Sequence, residues 1–149
     1  MKKWWKILAS FFGLGYIPFA PGTAASLAVA LAYKFVLSSL AWPYLLLLFL
    51  LLLFLGIIAS TSYARELGRP DPGTIVVDEA CGQLLVLLFV PPAWATVLIA
   101  FLLFRFFDIV KPYPICRAEK LAAGWGIMAD DIAAAAAAKA LLHFYLYLK

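Results

Sequence analysis

The chain has 149 residues, 66% of them hydrophobic and only 13% charged, with a formal net charge of +4 and a mean hydropathy of +1.00. A soluble globular domain carries roughly 25% charged residues, so the composition excludes an ordinary soluble domain and implies an integral membrane protein. The small positive excess does not suit a nucleic-acid binder. It suits anionic lipid head groups, because the basic residues lie near the expected membrane ends. The length allows one domain, residues 1–149, of about four or five hydrophobic helical segments.

The N-terminal MKKWWKILASFFGLG has the lysines and apolar run of a signal peptide. Pro18 and Pro21 interrupt the region where cleavage would fall, and a second apolar run follows at once, so the segment is expected to be retained. Lys2, Lys3 and Lys6 place it on the cytoplasmic side. The first clear helix is expected to begin at Thr23 or Ala24 and to end near Leu40, before the uncharged break SSLAWP. A second span is expected from about Pro43 to Tyr63, through a leucine-rich run. ARELGRPDPGT, with Pro70, Pro72 and Gly73, reads as a loop.

Residues 78–110 read either as one long span or as a helical hairpin broken at Pro91-Pro92. A proline pair is a poor helix interior. The hairpin also gathers the charged residues of 65–79 and 105–131 on one side and leaves SSLAWP and VPPAW uncharged, so it is the preferred reading. Its pieces, roughly 18–24 Å long, fall short of a ~30 Å hydrocarbon core; they are expected to be tilted, shallow or hidden behind other spans. After KPYP, residues 115–123 are expected as a short interfacial helix ended by Gly124 and Gly126. The last helix is expected to start at Asp130-Asp131 and run through six alanines to about Leu148. The expected fold class is therefore all-α, a polytopic helical membrane protein.

The acidic residues carry the functional signal. Asp78-Glu79, Asp108 and Asp130-Asp131 sit beside apolar runs, with Glu119 between the last two positions, and a carboxylate is rarely kept in such a place without a role. Oxygen ligands of this kind suit Mg²⁺, which takes one or two carboxylates directly and keeps several waters. Neighbouring residues on a helix diverge by roughly 100°, so one member of each pair is expected to brace while the other binds metal. Arg105, Asp108 and Lys111 recur at three-residue spacing and could hold a phosphate beside a metal ligand or form a neutralised stripe. Helix starts after Thr23, Thr74 and Asp130 point N–H groups toward one membrane face, where an anion would bind, although such residues are ordinarily only caps. His143 lies far from every cluster, Cys81 and Cys116 have no metal or redox spacing, and the tryptophans fit interfacial belts.

GLGYIPFAPGTAAS, PGTIVVDEACGQ, FRFFDIVKPYPI and GWGIMADDIAAA occur in the order seen in the phosphatidylglycerophosphatase A family, which the chain resembles from Gly13 to about Ala138. Ala25, Trp125 and Ala134 stand where that family has glycine; the acidic clusters match. The resemblance implies an Mg²⁺-dependent phosphatase of the bacterial cytoplasmic membrane, multi-pass, with its site on the cytoplasmic face. It would convert the lipid phosphatidylglycerophosphate to phosphatidylglycerol. Asp78, Glu79, Asp130 and Asp131 are the candidate metal ligands, and Asp78, Glu79, Asp108 and Asp131 the candidate catalytic residues. Gly22, Thr23, Arg105 and Lys111 are the candidate substrate-binding residues. Direct attack by water is favoured over a phospho-enzyme, since no DxDx[TV], CxxxxxR or paired-histidine motif is present. A CDP-alcohol phosphotransferase is disfavoured, because its DGxxAR…GxxxDxxxD spacing is absent. The rival from another class is a non-catalytic transporter or assembly subunit whose charges form structural ion pairs. Oligomeric state is not legible.

Overall fold

The computed structural model describes residues 3–70, 72–113, 115 and 124–149. Among these the fold is all-helical: α1 (Lys3–Ala9), a 3₁₀ turn (Leu14–Tyr16), α2 (Pro21–Phe35), a 3₁₀ turn (Leu37–Ser39), α3 (Trp42–Leu67), α4 (Val77–Leu87), α5 (Trp94–Val110) and α6 (Gly124–Tyr147). The expected interfacial helix at 115–123, with Cys116, Arg117, Glu119 and Lys120, lies outside the described residues apart from Ile115.

Local chemistry sets the boundaries. α2 starts two residues earlier than expected because Pro21 occupies its first turn, where a fixed φ and a missing N–H do no harm, after a left-handed Ala20. α3 stops at Gly68, which adopts φ 64° and donates its N–H back to Ala64 and Arg65. The helix expected to begin at Asp130-Asp131 begins instead at Gly124. Gly124 and Gly126 therefore do not act as terminators. A Cβ on Gly124 would lie 2.4 Å from the Ile57 carbonyl oxygen of α3, so glycine there allows a close helix crossing.

The hairpin is present. α4 ends at Leu87 and α5 begins at Trp94, with Phe89 left-handed and Pro91-Pro92 between them. The two helices pack against each other, Gly82 facing Phe104. α4 is the centre of the molecule: α2, α3, α5 and α6 all contact it, and nine of its eleven residues are buried. At roughly 16 Å it is too short to cross a bilayer, and enclosure by its neighbours removes the need.

The outside is apolar. α3, with 26 residues and a mean hydropathy of 2.7 over its most apolar window, is long and apolar enough to cross a membrane, and only 28% of that window is buried within the protein. It is the one such helix among the described residues. α5 adds an outward stripe of Leu98, Leu102, Phe106 and Ile109, each more than half exposed. Apolar faces of this extent mark a surface that meets lipid or another apolar partner.

At the hairpin turn, backbone carbonyls are met by side chains. Lys139 donates to the carbonyls of Leu85, Val86 and Leu88, Tyr33 to Val90, and Lys34 to Pro92 at 2.6 Å. At the opposite end, α1 docks on α3 through the Lys6–Glu66 ion pair (2.7 Å), and Tyr16 Oη bonds Tyr63 Oη at 2.9 Å. Glu66 holds the Lys6 ammonium above its ordinary pKa through hydrogen bonding and charge.

Candidate active site

α4 carries Asp78 and Glu79 in its first turn, and α6, packed alongside, brings in Asp131. One carboxylate oxygen of each of the three lies within 4.8 Å of the others. Asp78 and Asp131 are 8% and 3% exposed; Glu79 is less enclosed. Asp78 Oδ1, Glu79 Oε2 and Asp131 Oδ2 are buried without a hydrogen-bond partner. Among the described residues no lysine or arginine forms an ion pair with any of them. Three like charges so close together and so little solvated require a cation or protons to neutralise them. The donors are all carboxylate oxygens, which fits a hard divalent ion and not a soft one.

Two ion pairs among the described residues lie beside this cluster. Arg105 and Asp108, one turn apart on α5, form an ion pair at 2.5 Å, and Asp108 neighbours Asp131. Lys111, just past the end of α5, binds Asp130 of α6. The second acidic pair thus divides: Asp131 turns to the cluster and Asp130 to a lysine. The first does not divide: Asp78 and Glu79, although they diverge on the helix, both bring an oxygen to the cluster.

Gly22 stands against Glu79. A Cβ at this position would lie 1.9 Å from Glu79 Oε1 and 2.6 Å from its carboxyl carbon, so the first turn of α2 reaches the cluster only because residue 22 has no side chain. The N-terminal ends of α2 and α4 therefore meet at the carboxylates. The α6 N-terminus does not, since Asp131 lies two turns inside that helix. Thr23 and Thr74 do not cap: neither helix has a side-chain cap bond, Ala20 and Val76 being the capping positions. Thr23 lies inside the first turn of α2, and Thr74 Oγ1 is buried without a partner. Sequence reasoning passes over Gln83, whose only signal is its place four residues after Glu79, and over Lys139, which the alanine run conceals.

A helical bundle that is apolar outside and keeps an all-oxygen acidic site at one end belongs to the class of small membrane-associated enzymes. The family model described as phosphatidylglycerophosphatase A matches residues 7–146. The chain belongs to that family, and it is a phosphatase. It is 44% identical over 131 residues, 87% of this chain and 80% of the relative, to a phosphatidylglycerophosphatase A of Haemophilus influenzae. It is 35% identical over 146 residues, 97% and 84% of the two chains, to a phosphatidylglycerophosphatase A of Escherichia coli. A Bacteroides thetaiotaomicron protein with the provisional name phosphatidylinositol-3-phosphatase is 39% identical over 136 residues, 86% and 84% of the two chains. No solved structure matches the chain.

Proposed function

We propose that the chain removes the terminal phosphate of phosphatidylglycerophosphate at the cytoplasmic leaflet, with Mg²⁺ held by Asp78, Glu79 and Asp131. The observation that carries the reading is the set of three converging carboxylates, each with a buried unpartnered oxygen, that form no ion pair with a lysine or arginine among the described residues. An ion-pair scaffold accounts for Arg105–Asp108 and Lys111–Asp130, but not for three carboxylates that form no ion pair among the described residues. When bound, Mg²⁺ supplies Lewis-acid polarisation of the phosphoryl oxygens and offsets charge that builds during transfer.

The chain's own groups do the rest. Free N–H groups at the first turns of α2 and α4 face the cluster and favour an anion there. Arg105 and Lys111, already tied to Asp108 and Asp130, present fixed positive charge to the phosphoryl group. Water attacks phosphorus, the bond from phosphorus to the head-group oxygen breaks, and an unpartnered carboxylate oxygen of the cluster takes the water proton and returns it to the departing head-group oxygen, leaving the alcohol. The apolar faces of α3 and α5 leave the acyl chains in lipid, with α2, α3, α5 and α6 as the multi-pass shell and α4 as its buried centre. That topology is supported by the charged ends gathered beside the site and the uncharged connections at the other end.

The test is phosphate release by detergent-purified protein from phosphatidylglycerophosphate and, separately, from phosphatidylinositol 3-phosphate, with Mg²⁺ or with EDTA. Metal-dependent release from the first lipid, abolished in an Asp131→Asn variant that melts like wild type, is expected. Preference for the inositol lipid would transfer the reading to that head group, which the Bacteroides relative's name favours. Undiminished release in EDTA would refute the metal role, and a phospho-enzyme trapped by acid quench would refute direct attack by water.

A further inference from the structure

We infer that Gln83 is a positioning residue for the carboxylate cluster, fixing the Glu79 carboxylate from the apolar side; the inference rests on the divalent-cation reading above. Gln83 is fully buried, yet neither its Oε1 nor its Nε2 has a hydrogen-bond partner. Leaving a buried amide unpaired is unfavourable, and the positions around it on α4, Leu84, Val86 and Leu87, are simply apolar. A leucine at 83 would avoid that penalty unless the amide has a partner to meet.

The geometry says where the partner lies. Residues four apart share a helix face, and helical side chains lean toward the N-terminus, so the Gln83 amide lies over the turn that carries Glu79. Glu79 Oε2 is itself buried and unpartnered. Across from this face runs α2, parallel to α4: Gly22 abuts Glu79 and Tyr33 bonds Val90, both pairs separated by 57 residues. The same offset puts Ser26 level with Gln83, and Gly22, Ser26, Val29 and Tyr33 are buried along one face of α2. Ser26 donates its hydroxyl proton to the Gly22 carbonyl at 2.9 Å, which leaves its oxygen able to accept. The two protons of Gln83 Nε2 thus have two acceptors in the same layer, Glu79 Oε2 and Ser26 Oγ, each reached across one water. A polar layer of Gln83 and Ser26 backs the cluster and holds Glu79 in one orientation. Hydrogen bonds to a ligating carboxylate from behind are worth 10- to 100-fold in metal affinity.

The test reads metal binding in the absence of substrate: Mn²⁺ titrated by electron paramagnetic resonance into detergent-purified wild type, Gln83→Leu and Gln83→Met. Both variants are expected to weaken Mn²⁺ binding by about 10- to 100-fold while the metal-free proteins still fold and unfold cooperatively in thermal melts. A merely structural amide would leave the affinity unchanged. Wild-type affinity in either folded variant overturns the inference while the metal reading stands; Gln83→Met, unbranched and tolerant of irregular space, serves if leucine does not fold. Failure of wild type itself to bind Mn²⁺ overturns both.

Discussion

Gly22→Ala separates the geometry of the site from the stability of the fold. The new methyl would lie 1.9 Å from Glu79 Oε1 and 3.1 Å from its Cγ, whereas Cβ contacts below 3.0 Å essentially do not occur. The Glu79 carboxylate, the movable end of its side chain, must therefore retreat by about 1 Å, and a misplacement of that size costs about 100-fold in rate. Stability moves little. Overpacking of about 1 kcal/mol is opposed by the roughly 0.5–1 kcal/mol that alanine gains over glycine inside a helix. The assay pairs kcat for phosphate release from phosphatidylglycerophosphate with thermal denaturation in detergent. Gly73→Ala is the control, since a Cβ there has nothing within 4 Å. A Gly22→Ala protein with wild-type kcat would refute the placement of Glu79 at the chemistry. One that does not fold would mean that α2 cannot yield at this point and that the approach of Gly22 is structural.

Three further outcomes are expected. Lys111→Ala removes one ion-pair partner of Asp130, which is 5% exposed, and should lower stability by about 1–2 kcal/mol; the double variant Lys111→Met with Asp130→Asn should recover part of that in denaturant melts. Lys139→Met strips the donors from the α4 carbonyls of Leu85, Val86 and Leu88 and should destabilise by about 2–3 kcal/mol. Its dependence of activity on Mg²⁺ should not change, as titration of the metal would reveal. Cysteines placed at Trp94 and at Arg69 should label from opposite faces of sealed vesicles, because one lies at the hairpin turn and the other beside the end of α3; labelling of both from one face would reject the hairpin topology.

Much of the architecture is legible because helices with an apolar outer face leave a compositional trace. The leucine-rich run announces α3, and Pro91-Pro92 announces the break between α4 and α5. Helix starts are less legible, since a proline or a backbone turn can set a start with no side-chain cap; Pro21 and Val76 do so where Thr23 and Thr74 offered the conventional signal. Gly124 was readable as a terminator because glycine has two uses, and only the crossing with Ile57 shows which applies. In the site, the acidic residues are visible as costly exceptions in an apolar chain. Their division into a cluster and two ion pairs is not visible, because it depends on how α5 and α6 are rotated against α4. Gln83 and Lys139 stay hidden for a related reason. A single polar residue in an apolar helix has no periodic signature, and its meaning comes from the element it faces.

The centrality of so short a helix follows from the physics of the surroundings. A catalytic group that meets a lipid head group must lie near the membrane surface, yet it must be held rigidly, which demands packing on all sides. An eleven-residue α4 satisfies both by starting at the site and ending among its neighbours. Its lower end then presents carbonyls with no helical partner in apolar surroundings, where each unmet group is unfavourable by several kcal/mol. Lys139 meets the carbonyls of Leu85, Val86 and Leu88, and Tyr33 and Lys34 meet the turn beyond. The helix thus has carboxylates at its positive end and an ammonium at its negative end, the sense in which the macrodipole stabilises both. The same arrangement anchors α4 at its lower end, so the carboxylates are carried by a helix met at both ends, and Lys139 contributes to its stability and not to the metal site.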